Sequence, residues 1–250
     1  MNKRGQIAIW VIIALIIVVA LSIVFVFKNR LHLVKQDEFS PQTYMQRCIH
    51  DTVDSAVKQM LPQGGFIAPQ NYKLYQGKKI EYLCYNHGYF GTCIAQHPTY
   101  LVELEHELNV YVEPKIAGCY DALKTELERR GSTVTYGSLQ VNTSVAPQKI
   151  LVVVNKSASI VKDENAQSFN SFMAETRSST YDLARVAVET SNQEAVYCYF
   201  DYLGYMLLHP EFTITKDVLS DDTKIYSITT DATDETLTIA IRGCAIPAGL

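Results

Sequence analysis

Six cysteines, and the histidines beside two of them, are the residues of this 250-residue chain whose types and spacing best suit chemistry. Cys48, Cys84, Cys93, Cys119, Cys198 and Cys244 form an even set, as complete disulfide pairing outside a reducing compartment requires. Cys84 and Cys93 flank the turn-like Asn86-His87-Gly88, where a local bridge would close a short loop. Cys48 falls on the inward face of a predicted helix and Cys119 follows Pro114, so their union would tie two helical regions. Cys198 and Cys244 would then join a late helix to the end of the last strand. This nearest-element scheme is one of many that six cysteines allow, and sequence does not select among them.

Zinc is the alternative for one pair. Cys84-x2-His87 and Cys93-x3-His97 supply two thiols and two imidazoles at spacings that a tetrahedral ion accepts. The intervening length and the flanking tyrosines match no familiar finger, so a disulfide with ordinary histidines is preferred and no cofactor or metal is expected. Glu103, Glu105, His106 and Glu107 could likewise hold a metal, but a charged cluster on a helix is usually a solvated face. Asp221-Asp222 and Asp231, Asp234, Glu235 fit turn chemistry better than calcium. Tyr197, Tyr199, Phe200, Tyr202 and Tyr205 could stack a ligand; at helical spacing beside a cysteine they read more simply as core. Of hydrolase, metalloprotease, phosphate-loop and dinucleotide motifs the chain has none.

Composition narrows the class. Apolar residues make up 48% of the chain, which excludes general disorder. Lys3, Arg4, Lys28 and Arg30 precede Leu31, leaving 18 basic against 26 acidic residues in the body, a formal charge of −8 that argues against a nucleic-acid partner. Residues 7–27 carry no charge, Gly or Pro, and sixteen of them are Ile, Val, Leu or Phe. At ~1.5 Å per residue this stretch would reach about 31 Å, the depth of a bilayer core, so a transmembrane helix is expected there with the lipid bilayer as partner. It is longer than a secretory signal, and Lys28-Asn29-Arg30 follows it instead of a small-residue cleavage site. Basic residues flank it on both sides and do not orient it. The cysteines, all beyond it, place the body outside the cytoplasm, where Asn142-Thr143-Ser144 and Asn155-Lys156-Ser157 would be glycosylation acceptors at Asn142 and Asn155.

The start Lys3-Arg4-Gly5-Gln6, followed directly by the apolar stretch, resembles the class III signal of archaeal type IV pilins and pilin-like proteins. The resemblance covers about the first 28 residues and implies cleavage between Gly5 and Gln6. It departs from the pattern at Trp10, where many pilins carry Glu. The order of the elements beyond is similar to that of uncharacterised single-pass membrane proteins of small-genome archaea, a likeness that implies architecture and no activity.

The elements that must position these residues follow from periodicity. Residues 1–6 form a tail or signal, 7–27 the span, 28–39 a stalk, and 40–250 a disulfide-linked extracytoplasmic α+β domain, with a sub-boundary near Gly131. Ser40-Pro41 opens a helix whose Tyr44, Met45, Cys48, Ile49, Val53, Ala56, Val57 and Met60 share a face, ending near Gly64-Gly65. Tyr72–Tyr85 reads as two strands about Gln76-Gly77. A helix from Thr99 is expected to break at Pro114 and resume to Arg130. Lys149–Val154, Ala158–Val161 and Ser168–Met173 read as separate strands. A helix capped by Ser179 or Thr180 runs through Val188, and a second covers Gln193–Leu208 with Ala195, Val196, Tyr199, Leu203 and Met206 inward. Lys224–Thr230 and Thr236–Arg242 form a half-buried hairpin. Blocks of helices and antiparallel strands argue for α+β.

Two function classes are compatible with this pattern. One is a membrane-anchored structural or interaction protein, pilin-like at its start, in a cell-surface assembly with other pilin-like or surface proteins. The other is an anchored envelope hydrolase without a local motif. The pilin-like start predicts a mature chain beginning at Gln6. Mass spectrometry of native protein checks it, with Gly5→Val expected to leave the tail attached.

Overall fold

The computed structural model describes residues 15–23, 39–163 and 165–245. Gly5, Gln6 and residues 28–38 lie outside these, as does most of 7–27. The chain divides into two compact units, Met1–Ser40 and Pro41–Leu250. In the first, residues 15–23 form a helix, α1, whose aliphatic side chains are exposed. These nine described residues span ~13 Å. Among the described residues no helix is long and apolar enough to cross a membrane, which corrects the expected spanning segment.

The second unit is α+β. Helix α2 (Pro41–Met60) buries Met45, Ile49, Val53, Ala56, Val57 and Met60, the face its three- and four-residue spacing predicts. A single 3-10 turn (Leu61–Gln63) follows. Helix α3 runs unbroken from Tyr100 to Arg129. Pro114 sits inside it, contrary to the expected break. Proline removes one amide and crowds the carbonyl four residues earlier. Here that residue is Val110, 59% exposed, and residues 113–115 are exposed too, so the loss falls on the wet side while Leu108, Val112 and Ile116 keep the dry side packed.

Strands β1 (Tyr72–Tyr75), β2 (Lys78–Tyr85), β3 (Ile94–Ala95), β8 (Phe212–Val218), β9 (Lys224–Thr230) and β10 (Thr236–Arg242) form one sheet in the order β1-β2-β10-β9-β8, with β3 also on β2. Strand β10 pairs antiparallel with β9 and parallel with β2, and residues 237–241 are all buried. It forms the expected hairpin with β9, but as a central strand it is covered on both faces instead of being half-buried, and helix α4 (Thr180–Tyr197) packs against it.

The second sheet is built on β6 (Lys149–Lys162). Strands β4 (Thr133–Tyr136) and β5 (Gln140–Ala146) share one of its edges, and β7 (Asn165–Arg177) runs along the other. Three expected strands are thus two long ones, because an irregularity between Asn155 and Ala158 absorbs Lys156 and Ser157 without ending the pairing. Helices α2 and α3 pack on each other and on this sheet through β7 and β5. Helix α4 continues past Val188 to Tyr197 and stops where Cys198 takes a left-handed conformation, φ 58°. Helix α5 (Tyr202–Leu208) follows.

The disulfides join Cys48 to Cys119, Cys84 to Cys93 and Cys198 to Cys244, with Cα separations of 6.3, 5.4 and 5.9 Å. The first links α2 to α3, the second β2 to the segment before β3, and the third the end of α4 to the chain just past β10. They close 71, 9 and 46 residues. In the chain-entropy model those loops correspond to about 4.4, 2.6 and 4.0 kcal/mol. Paired Cys→Ser variants are therefore expected to lose stability most at Cys48/Cys119 and least at Cys84/Cys93, as denaturant midpoints at equal slope would show.

Candidate functional site

Two places in the body gather titratable groups, one around Glu81 and His97, the other around α4 and α5. Glu81 lies within β2 at 3% exposure. Its carboxylate accepts the amides of Gln70 (2.7 Å) and Asn71 (3.0 Å), fastening the loop before β1 to the sheet. A carboxylate between two amides and shielded from water makes charge-assisted bonds, each worth about 1.5–3 kcal/mol.

His97 stands beside it. Its Nδ1 is 2.5 Å from Glu103 of α3 and its Nε2 is 3.6 Å from Glu81, beyond a hydrogen bond but within reach of an ion pair. Phe66 packs on the ring at 4.6 Å between centroids. Burial pulls the imidazole's pKa down, but the favourable interactions with Glu81 and Glu103 outweigh it and leave the pKa above the ordinary value. Beneath this group Tyr100 donates to the Gly64 carbonyl at 2.8 Å. Gly64 and Gly65 have φ of 78° and 86°, and a Cβ on Gly65 would lie 2.3 Å from Leu104 and 2.6 Å from the Tyr100 hydroxyl. Only glycine admits so close an approach.

The alternative zinc set is not assembled. Cys84 and Cys93 are bonded to each other, the His87 ring meets the Tyr85 hydroxyl at 3.2 Å, and His97 is committed to the two glutamates. The acidic stretch of α3 is not a solvated cluster either. Glu103 holds His97, Glu105 accepts the Val145 amide of β5 at 2.8 Å, and Glu107 accepts the Ile67 amide at 2.9 Å. Glu103 and Glu107, four residues apart, share one face and reach His97 and Ile67, while Glu105 leaves the helix on the other side toward β5. His106 is exposed. Likewise Asp221 is bound by Lys73 at 2.6 Å. Glu235 accepts the Ser179 amide at 2.6 Å, doing at the start of α4 what the side chain of Ser179 was expected to do and does not. Asn142 and Asn155 are exposed on the same outer face of the second sheet.

The second place includes a buried group that composition did not reveal. Glu194, 2% exposed on α4, accepts from Lys224 and, at 2.5 Å, from Tyr226 of β9. Lys224 also donates to the Cys198 carbonyl at 2.7 Å. Burial and the Glu194 charge push the Tyr226 hydroxyl far above its usual range. Nothing in the local sequence marks a helical Glu as buried. Of the aromatic run only Phe200 is fully buried; Tyr197 and Tyr199 are 72% and 51% exposed, correcting the inward face expected there. The Lys216 ammonium lies over the rings of Tyr199, Tyr202 and Tyr226 at 5.4–6.0 Å.

Beside these, Asp182, Arg185, Glu189, Tyr205, His209 and Glu211 line a cleft of about 610 Å³. Tyr205 stacks on His209 at 4.4 Å, and His209 is 3.6 Å from Glu211. Burial and Glu189 hold the Tyr205 hydroxyl above its usual range. The cleft could hold a ligand between an arginine and carboxylates, and its lining has no Ser, Thr or Cys nucleophile.

No known protein family, curated protein or solved structure matches the chain.

The His97 contacts carry a pH dependence. With a native pKa above the unfolded value of about 6.5, the stabilisation is complete below that value and is lost as pH rises through the native pKa. Denaturation midpoints should fall across that window, and His97→Gln should flatten the profile while lowering stability most on its acid side.

Proposed function

We propose that the chain acts outside the cytoplasm as a structural or interaction protein of a cell-surface assembly. The observation that carries this reading is that its chemistry-bearing groups are used internally. Glu81, Glu103, Glu105, Glu107, Glu194 and Glu235 each accept a bond from another segment of the chain, and six cysteines form three bridges. Such bridges persist in oxidising surroundings. The start Lys3-Arg4-Gly5-Gln6, pilin-like in pattern, supports the same place of action. An apolar group also stands on the outside: Val196, Leu203, Leu207 and Leu208 are 57–84% exposed around α5, whose seven residues carry no charge. Patches of this kind mark contact sites.

The cleft favours a second reading, an envelope hydrolase in which Glu189, Glu211 and His209 would supply acid and base. The two readings make opposite demands on paired variants. Under the contact reading, Leu207→Asp with Leu208→Asp removes the protein from its high-mass surface fraction, while Glu189→Gln with Glu211→Gln leaves it there. Gradient fractionation of cell envelopes reads both. Retention of the leucine variant together with loss of envelope-degrading activity in the glutamine variant would establish the hydrolase.

A further inference from the structure

A sheet edge offers unpaired amides and carbonyls to any passing strand, and natural sheets block their edges with charge, short length or covering side chains. Most edges here are blocked. The outer side of β5 gives its Val145 amide to Glu105, and β8 gives its Ile214 amide to the Met206 sulfur of α5 at 3.1 Å. Strand β1 has four residues and carries Lys73, and β4 also has four.

Strand β7 is the exception. It has 13 residues, and its one strand neighbour among the described residues is β6. From Asn165 to Ala174 it contains no charge, Pro or Gly, and the first charged side chain, Glu175, is neutralised by Lys149 of β6 at 3.0 Å. The tip of the β6–β7 hairpin is exposed at Val161, Lys162, Asp163 and residues 165–168.

We infer that the outer edge of β7 pairs antiparallel with β7 of a second copy of this chain. Charge selects the partner and the direction. Across the ten uncharged residues two copies set no like charges against each other. A parallel pairing would set Glu175 against Glu175. An antiparallel pairing about a two-fold axis at Asn170 sets Glu175 against Asn165 and brings Arg177 level with the Asp163 turn of the other copy. The contact is isologous, so it closes as a dimer and leaves α5 free. It goes beyond the contact role proposed above and does not depend on it.

Asn170 is exposed and at the axis, so it would meet itself. In light scattering at high concentration the purified full-length chain should show twice the 28.1 kDa chain mass. Asn170→Lys and Asn170→Glu should each be monomeric with an unchanged circular dichroism spectrum, and an equimolar mixture of the two should restore the dimer. A wild-type monomer would overturn self-pairing and leave a foreign strand as the occupant of the edge, with the contact role of the chain intact. A dimer indifferent to both variants, or no recovery on mixing, would equally overturn it.

Discussion

The fold depends on carboxylates that take up the backbone amides of other segments. Glu81 is the central instance. It holds Gln70 and Asn71 from inside a strand, at a depth where an ionised group without partners would be far more costly than the loop it fastens. Because the anion must be balanced, His97 is drawn in beside it, and Glu103 of α3 fixes the ring from the other side. One buried charge thereby couples the first sheet, the loop with Gly64 and Gly65, and the longest helix. The same device recurs where Glu105 reaches β5, Glu107 reaches Ile67 and Glu235 reaches the start of α4. Hydrophobic burial supplies the bulk of stability, and these bonds decide which loop lies against which element.

Disulfides reinforce this arrangement. The Cys48 to Cys119 bridge clamps α2 against α3, the pair that covers the second sheet, whereas Cys198 to Cys244 fastens α4 to the first. Next to the latter, Lys224 joins Glu194 to the Cys198 carbonyl, so the end of α4 is held by a covalent bond and a buried ion pair at once. Both act on one place for a physical reason. Cys198 and Cys244 each adopt a left-handed backbone, φ 58° and 54°, which a cysteine takes only when its surroundings impose it.

What could be read from the sequence is what depends on near neighbours. The face of α2 is written in the spacing of Met45, Ile49, Val53 and Met60, and the turn at Gln76-Gly77 is written in glycine, because both are set by contacts a few residues apart. Pro114 misleads since its effect depends on which side of α3 it occupies, a matter of tertiary packing. The stretch Glu103 to Glu107 is opaque for a related reason. Its glutamates differ in function because Ile67 and Val145, each forty residues from its partner, converge on one helix from different directions. The aromatic run before α5 suggests a core by spacing, yet α5 is too short to bury a face and its tyrosines stay near the surface around Lys216.

The same long-range logic supports the proposed contact role over a catalytic one. A catalytic carboxylate or imidazole has to keep a lone pair or a proton available to substrate. In the body of this chain the best-buried acids have already given theirs to amides, a tyrosine and a lysine, and the most buried imidazole lies between two of them. The groups left in the open cleft, His209 and Glu211, are each about half exposed to water, which weakens the electrostatic effects that make such groups strong acids or bases. Apolar side chains at α5 and uncharged backbone at β7 suffer no such loss, for exposure is what makes a leucine or a strand edge available to another protein. A chain that uses its acids to hold its own loops has its outer apolar groups and its strand edge left for others.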